Sequence, residues 1–337
     1  MGKKISSIKS ISSVILAEEI LRRGITIDHI NDYQEEMAFM ELSYKGHYEY
    51  IIGQKSSQIT STADYATINK ALAKSLLERA KISVVEGKLF NRKNIKEVYA
   101  YINKIGYPVV IKMVDGNQGR LVFVGLKNRK MCEKAIKEVL ADNDYVLVEK
   151  YFYGKEYRIL ATKDKYVAAT HREPANVVGD GIHSIGELIE IKNSDPRRGD
   201  SSLDIFVKIK IDDVARGKIA AEGLRLNSVL NKGKKLYLRS NSNISTGGDS
   251  IDVTDRVHPE LRKIAVNIIR AIPGLAYGGI DIMTNQDISM KPTKKSYVVL
   301  EVNSSPGISL HHYPYEGKPR NVAGEIIDML FPETKNK

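Results

Sequence analysis

The chain has 337 residues, 42% hydrophobic and 28% charged, enough to bury a core and to make two domains or one large multi-lobed one. Its one cysteine, Cys132, excludes intrachain disulfides and cysteine-based zinc sites, and no apolar run is long enough to span a bilayer. The net charge of +11 raises nucleic acid as a partner, but the lysines are scattered among acids and no basic-aromatic interleaving appears, so the charge is read as a field favouring anionic ligands.

From Ser12 to Arg23 the apolar residues fall at helical spacing, and Gly24 ends the run. Val14-Ile15-Leu16-Ala17 runs straight into Glu18-Glu19, which argues against a signal-peptide core and for a cytoplasmic protein. Ile25 to Ile30 alternates as a strand, and Met40 to Ile52 reads as two strand-like pieces around a Lys45-Gly46 turn. Ser61 or Thr62 is expected to cap a helix running to about Ala80. Lys70 and Lys74 lie one turn apart on its surface, and both read locally as solvated lysines. Ile82 to Val85 is a short strand, and Asn94 to Ile105 a further helix.

The strand Val109 to Met113 carries Lys112, where an unpaired ammonium is expensive. Asp115-Gly116-Asn117-Gln118-Gly119-Arg120 follows, then the strand Leu121 to Val124. A strand, a glycine-bearing turn and a second strand make a flap whose backbone N–H groups can approach phosphates. The alternative is a plain hairpin. Such a turn, with few apolar anchors, is expected to order on nucleotide binding. Lys130 to Leu140 is helical. The buried strand Tyr145 to Val148 ends in Glu149-Lys150-Tyr151-Phe152, is broken at Gly154, and resumes at Tyr157 to Leu160. Backbone groups left unpaired between the halves suit a flat heterocycle such as adenine; a surface kink is the alternative.

Near the C-terminus, Gly278 to Met283 and Val298 to Asn303 are short apolar strands joined by a hairpin-like connection. Residues i and i+2 of a strand share a face, so Glu301 and Asn303 aim oxygens at one point. If the two strands pair antiparallel, Asp281 joins them. An all-oxygen set suits Mg²⁺ together with nucleotide phosphates, the alternative being a strand that ends in solvated polar residues.

In order, Lys70, Lys112, the glycine flap, Glu149-Lys150-Tyr151-Phe152, Glu156, Asp281 and Glu301-Val302-Asn303 resemble the ATP-grasp superfamily. Pro174 to Ile185, Asn193 to Gly199 and Asn241 to Ser250 resemble the ATP-grasp half of cyanophycin synthetase and the glutathione-synthetase half of the fused bacterial glutathione enzyme. The motifs run from about Ser43 to Pro332. The resemblance implies an α/β (α+β) ATP-grasp fold with ATP held between two lobes. It implies a small N-terminal module at 1–63 and an ATP-grasp domain at 64–337, with a lid at about 94–158 and a catalytic lobe at about 159–337. It further implies an ATP-dependent carboxylate–amine ligase acting through an acyl phosphate, with ATP and two Mg²⁺ ions as cofactors. A catalytically silent ATP-binding protein of the same fold is the alternative.

The implied roles are residue by residue. Lys70, Lys112, Gly116, Gly119 and Glu149 belong to the ATP site, backbone groups of Lys150 and Phe152 hold adenine, and Glu156 holds the ribose. Asp281, Glu301 and Asn303 hold the metal. Arg239 steadies the acyl phosphate, next to a Ser245 to Gly248 turn read as exposing N–H donors. Arg158, Asn241, Asn243, Ser305, Gly307 and Arg320 contact substrate, with His311 and His312 an outer polar rim. Leu121 stands where relatives often have glycine. Expected partners are amino acid or small peptide substrates and a second copy of the chain as a homodimer, with neither nucleic acid nor membrane. A Mur-ligase-like half after Pro332 and a glutamate–cysteine ligase half before Met1 are not expected, so neither relative's substrate carries over.

Overall fold

A computed structural model describes residues 8–32, 38–114 and 121–335. The chain groups into two units. One comprises Met1–Gln58, Val167–Asp255 and Ser305–Lys337, the other Ile59–Tyr166 and Arg256–Ser304. This grouping runs across the boundaries expected from the sequence. Among the described residues no helix is long and apolar enough to cross a membrane.

In the first unit the helix Ile11–Arg22 ends at Gly24, which has a φ of 72°. An antiparallel sheet follows in chain order, Thr26–Asp32, Ala38–Tyr44, His47–Ile52 and Lys55–Ser56. Tyr44 pairs with His47, and Lys45 and Gly46 both have positive φ, the turn geometry that matches strand twist. Arg23 is buried and ties this helix to the C-terminal helix Val322–Leu330: its guanidinium meets Glu19 at 2.7 Å, Asp328 at 2.6 Å and the Gly324 carbonyl at 2.9 Å. Asn176–Val178 and Lys235–Tyr237 form a two-stranded ribbon. The helices Ile185–Asn193 and Asp213–Ala221 bury Ile185, Ile189, Ala215 and Ile219 against Val177, Leu236 and Leu238.

The second unit opens with two helices where one is expected. Ser61–Ile68 is capped by Thr60, and Lys70–Arg79 by Asn69. Asn69 is extended. Its N–H still donates to the Tyr65 carbonyl, while its side chain accepts from Leu72 N–H at 3.0 Å. One residue thus ends the first helix through its backbone and starts the second through its side chain, placing Lys70 at the new N-terminus. A four-stranded antiparallel sheet follows, in the order Gly87–Asn91, Tyr145–Lys150, Val109–Lys112, Val122–Leu126. The helix Lys96–Ile105 buries Val98, Ile102 and Ile105, and Arg129–Val139 buries Cys132, Ala135, Ile136 and Val139. Both are one-sided apolar stripes at helical spacing and share one core with this sheet. A second antiparallel set holds Lys155–Thr162, Tyr277–Thr284 and Tyr297–Asn303, with the central strand almost wholly buried.

Candidate active site

The second unit carries two ionic clusters, one on each sheet. On the first, Lys112 and Glu149 lie on neighbouring strands, both nearly buried, and Lys112 Nζ meets Glu149 Oε2 at 2.8 Å. This answers how an apolar strand tolerates a lysine. Glu149 Oε1 attracts a second ammonium, Lys74, at 3.7 Å. Lys74 is therefore not the solvated lysine expected from the sequence. It is mostly buried, and burial holds its pKa below the usual lysine range despite the Glu149 charge.

Gly87 makes this cluster sterically possible. It lies opposite Glu149 in the ladder, and a Cβ there would come within 2.6 Å of Glu149 Cγ and 2.8 Å of the Val148 carbonyl oxygen. The sequence reading missed both this strand and its glycine. A glycine ahead of Lys88-Leu89-Phe90 was the available signal, since glycine at a strand often marks a close approach.

On the second sheet, Tyr277–Thr284 and Tyr297–Asn303 pair antiparallel, with Asp281 opposite Glu301 and Gly279 opposite Asn303. The three metal candidates converge as their spacing requires. Asn303 Nδ2 donates to Glu301 Oε1 at 3.3 Å, and the Glu301 carboxyl lies opposite Asp281 in the ladder. Burial first, and then the Asp281 charge, push the Glu301 carboxyl above the usual carboxylate range. Asp281 also pairs across the ladder with Arg158, which grips it through Nε and, at 3.0 Å, through Nη2. Two buried carboxyls that face each other repel when both are charged, and a hard cation can relieve that repulsion. Among the described residues no group of three His, Cys, Asp or Glu forms a cage. The set therefore fits Mg²⁺ only as a partial shell completed by phosphate oxygens and water.

A cleft within this unit is lined by Lys70, Lys74, Glu149 and Glu301 and so touches both clusters. The Lys70 charge draws the Glu301 pKa back down, opposing burial. Glu156 sits two residues before Arg158 on the same strand, hence on the same face. Lys150 N–H donates to the Glu86 carbonyl at 2.8 Å, so only its carbonyl is left to offer adenine. Phe152 lies between two strands, and its N–H makes no hydrogen bond among the described residues. Gly154 is more than a chain break: a Cβ there would lie 2.3 Å from the Thr284 carbonyl oxygen. Gly116 and Gly119, with the rest of the Asp115 to Arg120 turn, lie outside the described residues. Leu121, just after it, has a φ of 50°, a conformation glycine adopts without cost.

In the first unit, Arg239 is largely buried and pairs with Asp212 at 2.6 Å. Asn241 accepts from Thr246 Oγ1 at 2.7 Å, and Asn243 accepts from Arg172 at 2.5 Å. Three of the four N–H groups in the Ser245 to Gly248 turn, expected to be free donors, are already taken. The N–H groups of Thr246 and Gly248 go to the Asn243 carbonyl and that of Gly247 to the Ile244 carbonyl. Ser305 bonds Gln54 at 3.4 Å, while Gly307 has open space beside it apart from Ser12 Oγ at 3.9 Å from a would-be Cβ. Arg320 is held by both Asp252, at 2.6 Å, and Asp255, at 2.8 Å. His311 and His312 are not a polar rim. His311 is buried, and His312 Nε2 accepts from the Ala323 N–H at 3.0 Å at the start of the C-terminal helix, with burial pushing its pKa down to about 4.

Known proteins are similar to this chain over most of its length. A family model described as a RimK-like ATP-grasp domain matches residues 67–180 and 228–330. Cyanophycin synthetase of Crocosphaera subtropica is 37% identical over 298 residues, covering 88% of this chain and 34% of that protein. The glutathione biosynthesis bifunctional protein GshAB of Pasteurella multocida is 35% identical over 331 residues, covering 96% and 43%. The crystal structure of a bifunctional glutathione synthetase from Pasteurella multocida superposes with a TM-score of 0.73 at 34% identity, over 97% of this chain and 44% of that one. The chain thus spans less than half the length of these relatives. With the family model spread over both of its units, and a mixed helix-and-sheet fold of which 97% superposes on part of a solved relative, this chain belongs to the RimK-like ATP-grasp family.

Proposed function

We propose that this chain is an ATP-dependent carboxylate–amine ligase. A carboxylate takes the terminal phosphoryl group to become an acyl phosphate. An amine then attacks the acyl carbon, and the C–O bond to phosphate breaks as the amide forms. The observation that carries the reading is that Glu149, paired with Lys112, and Glu301, set beside Asp281 and Asn303, line one cleft that also holds Lys70 and Lys74. When bound, Mg²⁺–ATP supplies the phosphoryl group.

In this reading Lys70 and Lys112 bind phosphate oxygens, the Lys150 carbonyl and Phe152 N–H bracket adenine, and Glu156 takes the ribose hydroxyls. Asp281, Glu301 and Asn303 hold the metal, Asn303 through its amide oxygen. Arg158 grips Asp281 beside Glu301, and so acts as a positioning residue. Asn243 and Arg320 are positioning residues too, because Arg172 and two aspartates already take their polar groups. Asn241, Ser305 and Gly307 remain the proposed substrate contacts. No protein nucleophile is required; the chemistry rests on positioning and on neutralising charge. The names of the relatives direct the substrate proposal to an amino acid or short peptide carboxylate and an amino acid amine.

The test is a screen of amino acid and dipeptide pairs for ATP-dependent phosphate release, with the amide product read by mass. Amine-dependent release of ADP and phosphate supports the ligase. ATP binding without amine-dependent release for any pair would instead favour a silent nucleotide-binding protein. Arg239→Lys keeps the charge but loses the planar fork. It should lower kcat by about a hundredfold, on the scale of one oriented donor, and leave ATP affinity unchanged. Weak ATP binding with normal turnover at saturation would move Arg239 into the nucleotide site.

A further inference from the structure

The roles above leave Lys74 unused. Its side chain is 12% exposed, and its Nζ is shielded from solvent with no hydrogen-bond partner among the described residues. The nearest opposite charge, Glu149 Oε1, lies at 3.7 Å, beyond hydrogen-bond range. The other Glu149 oxygen is already committed to Lys112 at 2.8 Å. An ammonium carries three donors, and burying it without an acceptor is costly. The opposite strand also leaves it room: a Cβ at Gly87 would lie 2.9 Å from Lys74 Nζ. Two buried cations share one carboxylate here, and the cleft beside them reaches Glu301.

We infer that Lys74 is a phosphate-binding residue whose missing acceptor is an anionic oxygen of the nucleotide, with Gly87 keeping the space that lets its ammonium reach it. The inference rests on the ATP reading above and adds a third lysine to it. A lysine serving only the fold would make its hydrogen bonds without ligand. Lys74 has only the longer arm of a shared ion pair.

Calorimetric titration of wild type and Lys74→Met with adenosine, ADP, ATP and inorganic tripolyphosphate tests this, together with thermal unfolding without ligand. Lys74→Met should bind adenosine as wild type does. It should bind ATP and tripolyphosphate about tenfold to a hundredfold more weakly, the scale of a charge-assisted hydrogen bond. Its ligand-free melting temperature should not fall. Equal weakening for adenosine and ATP with a lowered melting temperature, or unchanged ATP affinity, overturns the inference. Wild type that binds tripolyphosphate through Lys74 but not ATP upholds the anion site and overturns the nucleotide reading. Wild type that binds neither overturns both. Lys74→Gln repeats the readouts if the methionine variant does not fold.

Discussion

Glu149→Gln should destabilise the ligand-free protein and, in doing so, enlarge the stabilisation that ATP provides. The substitution keeps the shape of the side chain and removes its charge. It leaves the Lys112 and Lys74 ammonium groups, with side chains 9% and 12% exposed, without the carboxylate that lies between them. Breaking a buried ion pair from one side costs about 3–5 kcal/mol. The expected loss is about 3–5 kcal/mol, mostly from the 2.8 Å Lys112 pair. Nucleotide phosphates would restore the missing negative charge, so the ATP-induced shift should exceed that of wild type. The chain has no tryptophan, so urea unfolding is best followed by circular dichroism. Hydrogen exchange over Tyr145–Lys150 would localise the loss. Wild-type stability without nucleotide would refute the reasoning, because it would mean that the Glu149 charge does not balance the two lysines.

Glu301→Gln should abolish phosphate release and leave the fold intact, since it removes a ligand charge, keeps the shape and relieves a buried carboxylate pair; wild-type turnover under saturating Mg²⁺ would remove Glu301 from the metal site. Gly154→Ala brings a Cβ to 2.3 Å from the Thr284 carbonyl oxygen, a backbone atom that cannot rotate away. The two chain segments must part by about 1 Å, at about 1–3 kcal/mol, and an unchanged melting curve would contradict that close approach. Burial pushes the Asp252 carboxyl up, but Arg320 and Thr254 together bring it below the usual aspartate range. Its contribution to stability is therefore present above the ordinary aspartate pKa of about 3.9 and is lost as pH falls through the lowered value. Arg320→Gln should accordingly cost stability at pH 7, with the gap from wild type closing in strong acid; a gap of constant size would show that this ion pair does not carry the linkage.

The most legible parts of the fold were those set by short periods. Alternation along Val298 to Asn303 put Glu301 and Asn303 on one face, and an antiparallel hairpin was enough to bring in Asp281. The Lys45-Gly46 turn was visible for the same reason. What stayed hidden was set by long-range pairing or by one ambiguous side chain. Arg158 and Asp281 are 123 residues apart in sequence, and nothing local announces the ladder that joins them. Asn69 is neither glycine nor proline, yet it breaks the helix by capping in both directions. Two adjacent histidines read as a surface feature until the helix at Val322–Leu330 uses one of them as a cap.

The burial of Lys74 belongs to the same class and changes how the site is understood. Seen along one helix, Lys70 and Lys74 are equivalent surface lysines. In three dimensions, Lys74 Nζ comes against Gly87 of the strand Gly87–Asn91 and lies 3.7 Å from Glu149. The second unit then has a cation-rich cluster, two lysines to one glutamate, and an anion-rich cluster, two carboxyls to one arginine. The intervening cleft touches both. In the proposed reading a phosphate chain would answer the first cluster and a divalent cation the second, so that a metal–polyphosphate would offer both in one ligand.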